Sequence, residues 1–176
     1  MKKLGIVFMT LLAVALTVSC TKTGPQGPAG QDGQDGNANV CSSTVTVYPS
    51  EWYWDNNTSW RVDIDYKAIT ADITDYGAVL VYMEDRNTWR QIPLTFYYSI
   101  VDEETNEECF YSSSLEVSTY DEGVSIFWTE NDFYNGYRPA EHRFKIVVIA
   151  ASVYNYRSDV DYSDYNAVKK AFQLAD

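Results

Sequence analysis

A mainly β fold is expected for this chain: an antiparallel β-sandwich of about seven strands, immunoglobulin-like in its strand pattern, with a short C-terminal helix. Two observations predict the sheets and one predicts the helix. From Val40 onward apolar residues recur at every second position, and turn residues interrupt that alternation roughly every eight to twelve positions. The final stretch instead spaces Tyr165, Val168 and Phe172 as one face of a helix. A barrel is the alternative architecture for such a pattern.

The chain opens with an export signal. Lys2 and Lys3 form a positive start, Leu4 to Leu16 an apolar run, and Thr17 and Ser19 supply small residues before Cys20. The apolar run is shorter than the ~20 residues that a spanning helix needs. Leu16-Thr17-Val18-Ser19-Cys20 resembles a bacterial lipobox, with Leu16 one place earlier than the usual leucine and Ser19 at the cut. The resemblance implies lipid attachment at Cys20, cleavage before it, and a hold on the membrane through acyl chains, each buried CH₂ adding ~0.8 kcal/mol. Ordinary secretion and an uncleaved anchor are the other two readings of the same segment.

After Cys20 comes glycine at every third position from Gly24 to Gly36, with proline only at Pro25 and Pro28. Only glycine fits the axis of a collagen triple helix, so the period admits a trimer-forming stalk. The tract is short, and Asp32 and Asp35 would repel their copies in a homotrimer, which favours an extended spacer of up to ~45 Å at 3.1 Å per residue. The expected organisation is a signal over 1–19, anchor and linker over 20–39, and a folded domain over 40–176.

Within the domain, Thr44 to Tyr48 alternates and stops at Pro49. Trp52-Tyr53-Trp54 and Trp60 to Lys67 read as a hairpin about the tip Asp55 to Ser59, with Trp60, Val62, Ile64 and Tyr66 on one face. Thr70 to Tyr76 suits one helical turn closed by Gly77. Ala78 to Met83 is apolar on both faces, as a central strand is. A polar turn at Glu84 to Thr88 leads into a strand running from Trp89 past Pro93 to Ile100, where the proline implies an edge or a bulge. Strands follow over Cys109 to Val117, Val124 to Thr129 and Phe144 to Val153, separated by the charged turn Asp102 to Glu108, the turn Tyr120 to Gly123 and the polar loop Glu130 to Glu141. The C-terminal helix spans Tyr165 to Leu174, with Asp161 or Ser163 as N-cap and Lys169 and Lys170 at its negative end.

The lipobox, the glycine tract, Asp35-Gly36-Asn37-Ala38-Asn39-Val40, Val79-Leu80-Val81-Tyr82, Trp89-Arg90-Gln91-Ile92-Pro93-Leu94, Phe144 to Ile149 and Tyr165-Asn166-Ala167-Val168 are together similar to Gram-negative collagen-like-repeat lipoproteins. The resemblance covers most of the mature chain and implies an envelope address, with the outer membrane favoured and its face open. No activity comes with it.

Composition narrows the function. Without Lys2 and Lys3, 11 of the 13 basic residues remain against 25 acidic ones, a formal charge of −14. Such a surface repels phosphate backbones, so no nucleic-acid partner is expected. The single histidine, His142, cannot build a triad or a zinc site without further ligands, and no phosphate loop, dinucleotide fingerprint or nucleophile elbow is present. Asp102 to Glu108 and Asp159 to Asp164 read as solvated turns rather than calcium loops. No cofactor or metal is expected. Cys41 and Cys109 remain once Cys20 is acylated, and an exported protein with two thiols has a disulfide and a buried free pair as equal readings. The aromatic content points to ligand recognition, with Trp52, Tyr53 and Trp54 at the hairpin and Tyr134 and Tyr137 in the long loop as candidate residues. Trp52 and Trp54 pointing inward with Trp60 would make that cluster core. The expected role is therefore a non-enzymatic binding or structural module of the envelope, contacting a glycan or an envelope protein. The alternative is a carboxylate-based hydrolase acting on glycan.

Overall fold

The computed structural model describes residues 39–175. The signal segment, Cys20 and the Gly-X-Y tract lie outside the described residues. The strands in chain order are β1 (Val40–Val47), β2 (Tyr53–Asp55), β3 (Ser59–Asp65), β4 (Ala78–Asp85), β5 (Thr88–Gln91), β6 (Leu94–Val101), β7 (Glu108–Tyr120), β8 (Gly123–Glu130) and β9 (His142–Ile149). They form two antiparallel sheets, one of four strands in the order β1-β9-β4-β5 and one of five in the order β2-β3-β8-β7-β6. The fold is thus mainly β, as the alternation predicts.

One apolar core is shared by the two sheets. Val81, Met83, Phe144 and Ile146 come from the four-stranded sheet, and Trp60, Val62, Leu115 and Ile126 from the five-stranded one. Trp52 is 1% exposed and presents ring edges to Trp128 at 6.4 Å and Phe144 at 6.3 Å between centroids. An aromatic buried so fully contributes several kcal/mol, since truncation to Ala in such a site costs about 3–5 kcal/mol.

The turns follow from residues that accept a positive φ. Asn56 and Asn57 (φ 47° and 58°) close the β2–β3 hairpin, and Arg86 and Asn87 (50° and 65°) close β4–β5. Paired positive φ values match the right-handed twist of the flanking strands. The strand expected from Trp89 to Ile100 is in fact two strands in different sheets. A proline has no N–H for the ladder, so β5 ends before Pro93 and the chain crosses over at buried Ile92 to begin the edge strand β6. Gly77 leads into β4 where a Cβ would lie 2.5 Å from the Ile149 carbonyl oxygen, which explains glycine there.

The last strand is shorter than expected. β9 ends at Ile149, and Ala151–Tyr154 forms a helical turn instead. The C-terminal helix, Tyr165–Phe172, is capped by Asp164, whose carboxylate accepts from Asn166 N at 2.9 Å. The expected cap Asp161 accepts from Ser163 N instead, and so shapes the approach to the helix. Tyr165, Val168 and Phe172 pack with Leu80, Tyr82, Val147 and Ile149 on the outer face of the four-stranded sheet. That sheet is therefore covered on both faces, which accounts for the unbroken apolar runs in β4 and β9.

Under this helix lies Lys145, 4% exposed. Its Nζ donates to Tyr165 Oη at 2.8 Å and lies over the rings of Tyr165 (4.6 Å) and Trp89 (5.0 Å). Tyr165→Phe removes the acceptor and leaves a buried ammonium, so it is expected to lower the unfolding free energy by about 1–3 kcal/mol. Lys145→Met, which removes the charge itself, should cost less. Denaturant unfolding of both variants checks this order, and a cheaper Tyr165→Phe would refute it.

Candidate functional site

The inner face of the five-stranded sheet is built in rows across the strands. Val62, Ile126 and Val117 make an aliphatic row. The next row is Trp54, Trp60, Trp128, Leu115 and Leu94. One step further come Glu130, Ser113 and Phe96, then Tyr111 beside Tyr98, then Cys109 beside Ile100. The same face thus changes from core to aromatic and acidic surface along the length of β6, β7 and β8.

Where it changes, a groove of about 590 Å³ opens, lined by Tyr98, Ile100, Tyr111, Glu130, Asp132, Tyr134 and Tyr137. Tyr98 and Tyr111 stack at 5.8 Å between centroids and 21° between planes. The 130–141 loop supplies Tyr134 and Tyr137, set edge to face at 5.6 Å. The Tyr134 ring folds back over its own loop, its tip against the backbone of Gly136. Tyr134 N donates to Asp132 Oδ1 at 3.0 Å and holds the start of that turn.

Glu130 fastens the groove to the core. Oε1 accepts from Trp128 Nε1 at 2.7 Å and Oε2 from Tyr98 Oη at 2.8 Å, while Ser113 Oγ lies 2.9 and 2.8 Å from the two oxygens. Donors from β6, β7 and β8 thus meet at one carboxylate. Burial, and then the bond to Glu130, push the Tyr98 phenol above its ordinary value. Behind this node His142 stacks on Trp128 at 4.9 Å and 23°. Burial holds its imidazole below the ordinary histidine range.

The candidate aromatics divide. Tyr134 and Tyr137 do stand in one exposed patch, with 53% and 78% of their surfaces free. Trp52 and Trp54 do not: Trp52 is buried, and Trp54 packs against the core with its ring edge to Trp60 at 5.4 Å. Period-two alternation places Tyr53 on the opposite face. There it donates to Asp63 Oδ2 at 2.7 Å, and burial and that carboxylate push its phenol up to about 12. Trp52 and Trp54 thus take the inward positions beside Trp60, with Tyr53 outside, and the three rings form no single exposed patch.

Cys41 and Cys109 are free thiols. Cys41 stands on β1 opposite Val148 in the four-stranded sheet, and Cys109 on β7 opposite Ile100 in the five-stranded one. The sequence reading missed Tyr98, Ile100, Tyr111, Glu130 and Asp132. Their signal was present: Tyr98 and Tyr111 continue the inward alternation of their strands beyond the last aliphatic residues. Among the described residues no group of three or more His, Cys, Asp or Glu side chains is placed to hold a metal ion.

His142 yields a pH test. The unfolded chain binds a proton below about pH 6.5, whereas the buried ring does so only at lower pH, so folding stability falls as pH drops through that window. His142→Phe keeps a ring on Trp128 and removes this dependence. The unfolding free energy of the variant, relative to the parent, should rise between about pH 7 and pH 5. A constant difference would show that His142 does not titrate between the two states.

Comparison with family models, with curated proteins and with solved structures finds no match to this chain.

Proposed function

We propose that this is a lipid-anchored protein of the bacterial envelope whose sandwich domain binds a glycan in the groove between the β6–β7 hairpin and the 130–141 loop. The observation that carries the reading is the groove itself. Four tyrosine rings offer flat apolar faces beside two carboxylates that can accept from sugar hydroxyls. The lipobox and Gly-X-Y tract supply the rest of the proposal: acyl chains on Cys20 as the hold on the outer membrane, and the tract as a spacer. The sequence likeness to Gram-negative collagen-like-repeat lipoproteins supports that address. Two antiparallel sheets around one core support the sandwich, in a strand order in which β1 pairs with β9.

A hydrolase acting on glycan has one observation in its favour, since Glu130 and Asp132 line the same groove. The hydrogen bonds weigh against it. A general acid must reach a glycosidic oxygen, whereas both oxygens of Glu130 are already engaged by Trp128, Tyr98 and Ser113.

The binding test is retention of the detergent-solubilised full chain on a glycan array, compared with a Tyr134→Ala, Tyr137→Ala double variant. Loss of retention with a thermal midpoint close to the parent's is expected, because both rings are exposed. Retention unaffected by the double variant would remove the groove as the site, and release of new reducing ends would favour the hydrolase. For the anchor, cells fed labelled palmitate should give a labelled band that Cys20→Ala abolishes; equal label in the variant would refute lipidation there.

A further inference from the structure

The charge of the groove says more about its ligand than the rings do. Two of the seven lining residues are acidic and none is basic. The nearest basic side chain of the 130–141 loop is committed elsewhere: the Arg138 guanidinium lies over the Trp60 ring at 5.0 Å and donates to the Pro49 carbonyl at 3.4 Å. His142 faces the core through Trp128 and Phe144, and its burial favours the neutral ring. The donors on Glu130 are a phenol, a hydroxyl and an indole N–H. All three are neutral and leave its charge uncompensated.

Tyrosine rings add to the same field. The face of an aromatic ring is the negative part of its quadrupole, and it attracts a cation within about 6 Å of the ring centroid. A floor of two stacked rings, a wall of two more and two carboxylates therefore make a site for a positively charged group with an apolar body. A neutral sugar uses the rings and ignores the field. A phosphate or carboxylate ligand meets repulsion from both.

We propose, resting on the glycan reading above, that the groove recognises a glycan through a protonated amine, that is, an amino sugar whose nitrogen is not acetylated. The sugar ring lies on Tyr98 and Tyr111, and the ammonium is held between Glu130, Asp132 and the faces of Tyr134 and Tyr137. The acidity of the whole mature chain, formally −14 with 11 basic and 25 acidic residues, adds long-range attraction for a polycationic glycan.

The experiment titrates the full chain with a soluble glucosamine oligosaccharide and with its fully N-acetylated counterpart, at about pH 6 and low salt, following tyrosine and tryptophan fluorescence or heat. The free-amine oligosaccharide is expected to bind at least about tenfold more tightly, a ratio that is worth ~1.4 kcal/mol and that shrinks as salt screens the charges. Asp132→Asn should weaken the free-amine ligand by about tenfold and so narrow its preference over the acetylated one. It removes the charge but keeps the acceptor of the loop turn, so it separates electrostatics from folding.

Equal binding of the two oligosaccharides, both lost in the Tyr134→Ala, Tyr137→Ala variant, would overturn the amine while leaving the glycan reading intact. Binding of neither, together with retention of other glycans on the array, would overturn it in the same way. A short lysine peptide that binds where the amino sugar does not would make the ligand a basic protein segment, and both readings would fall.

Discussion

The architecture depends on a mismatch between two rules that act on one strand face. Alternation sends every second residue of β6, β7 and β8 inward for as long as the strands run, and β7 is 13 residues long. The core that those residues enter is shorter. Past the row of Trp60, Trp128 and Leu115 the inward positions have no apolar layer opposite them, and Glu130 is the residue that ends it. A carboxylate is tolerable there because each of its oxygens finds donors, and hydrogen bonds to an ionised group contribute about 1.5–3 kcal/mol each. Those donors come from three strands, so one charged group both stops the core and sets the relative positions of the strands that make the groove.

Trp128 belongs to both sides of this boundary. Its ring packs edge to face on Trp52 and stacks with His142, while its Nε1 reaches out to Glu130. Trp52 and Trp60, by contrast, keep buried indole N–H groups without an acceptor, at a cost of about 1–3 kcal/mol each. Their retention is consistent with ring volume rather than polarity being what those positions need. The other sheet is specialised in the opposite way. It lies between the shared core on one side and the C-terminal helix on the other.

Much of this was legible in the residues. The Trp60, Val62, Ile64 face, the turns at Asn56-Asn57 and Arg86-Asn87, and the helix face Tyr165, Val168, Phe172 follow from period and turn chemistry alone. What failed were statements about which sheet a strand joins. Pro93 signalled an interruption, and yet nothing local distinguishes a bulge from a crossing to the other layer. The same blindness applied to the two thiols, because the positions of Cys41 and Cys109 depend on pairing with Val148 and Ile100. The site was half legible. Tyr134 and Tyr137 stood out because a polar loop has no core for them, whereas Tyr98 and Tyr111 looked like ordinary inward strand residues until the end of the opposing layer was known.

The choice of tyrosine for the groove fits its place at an open edge. β6 is the last strand of its sheet, and Tyr97, Ile100 and Val101 are exposed along it, with Phe110 exposed on β7. Such an edge invites pairing with another chain. The connection beyond it carries Asp102, Glu103, Glu104, Glu107 and Glu108, and Asp102 is fixed there by accepting from the backbone of Glu104 and Thr105. Charged side chains at the end of an edge strand are among the devices by which sheets oppose pairing with a like-charged copy. In the proposed cation-binding reading, the carboxylates of this connection and those of the groove belong to one negative field.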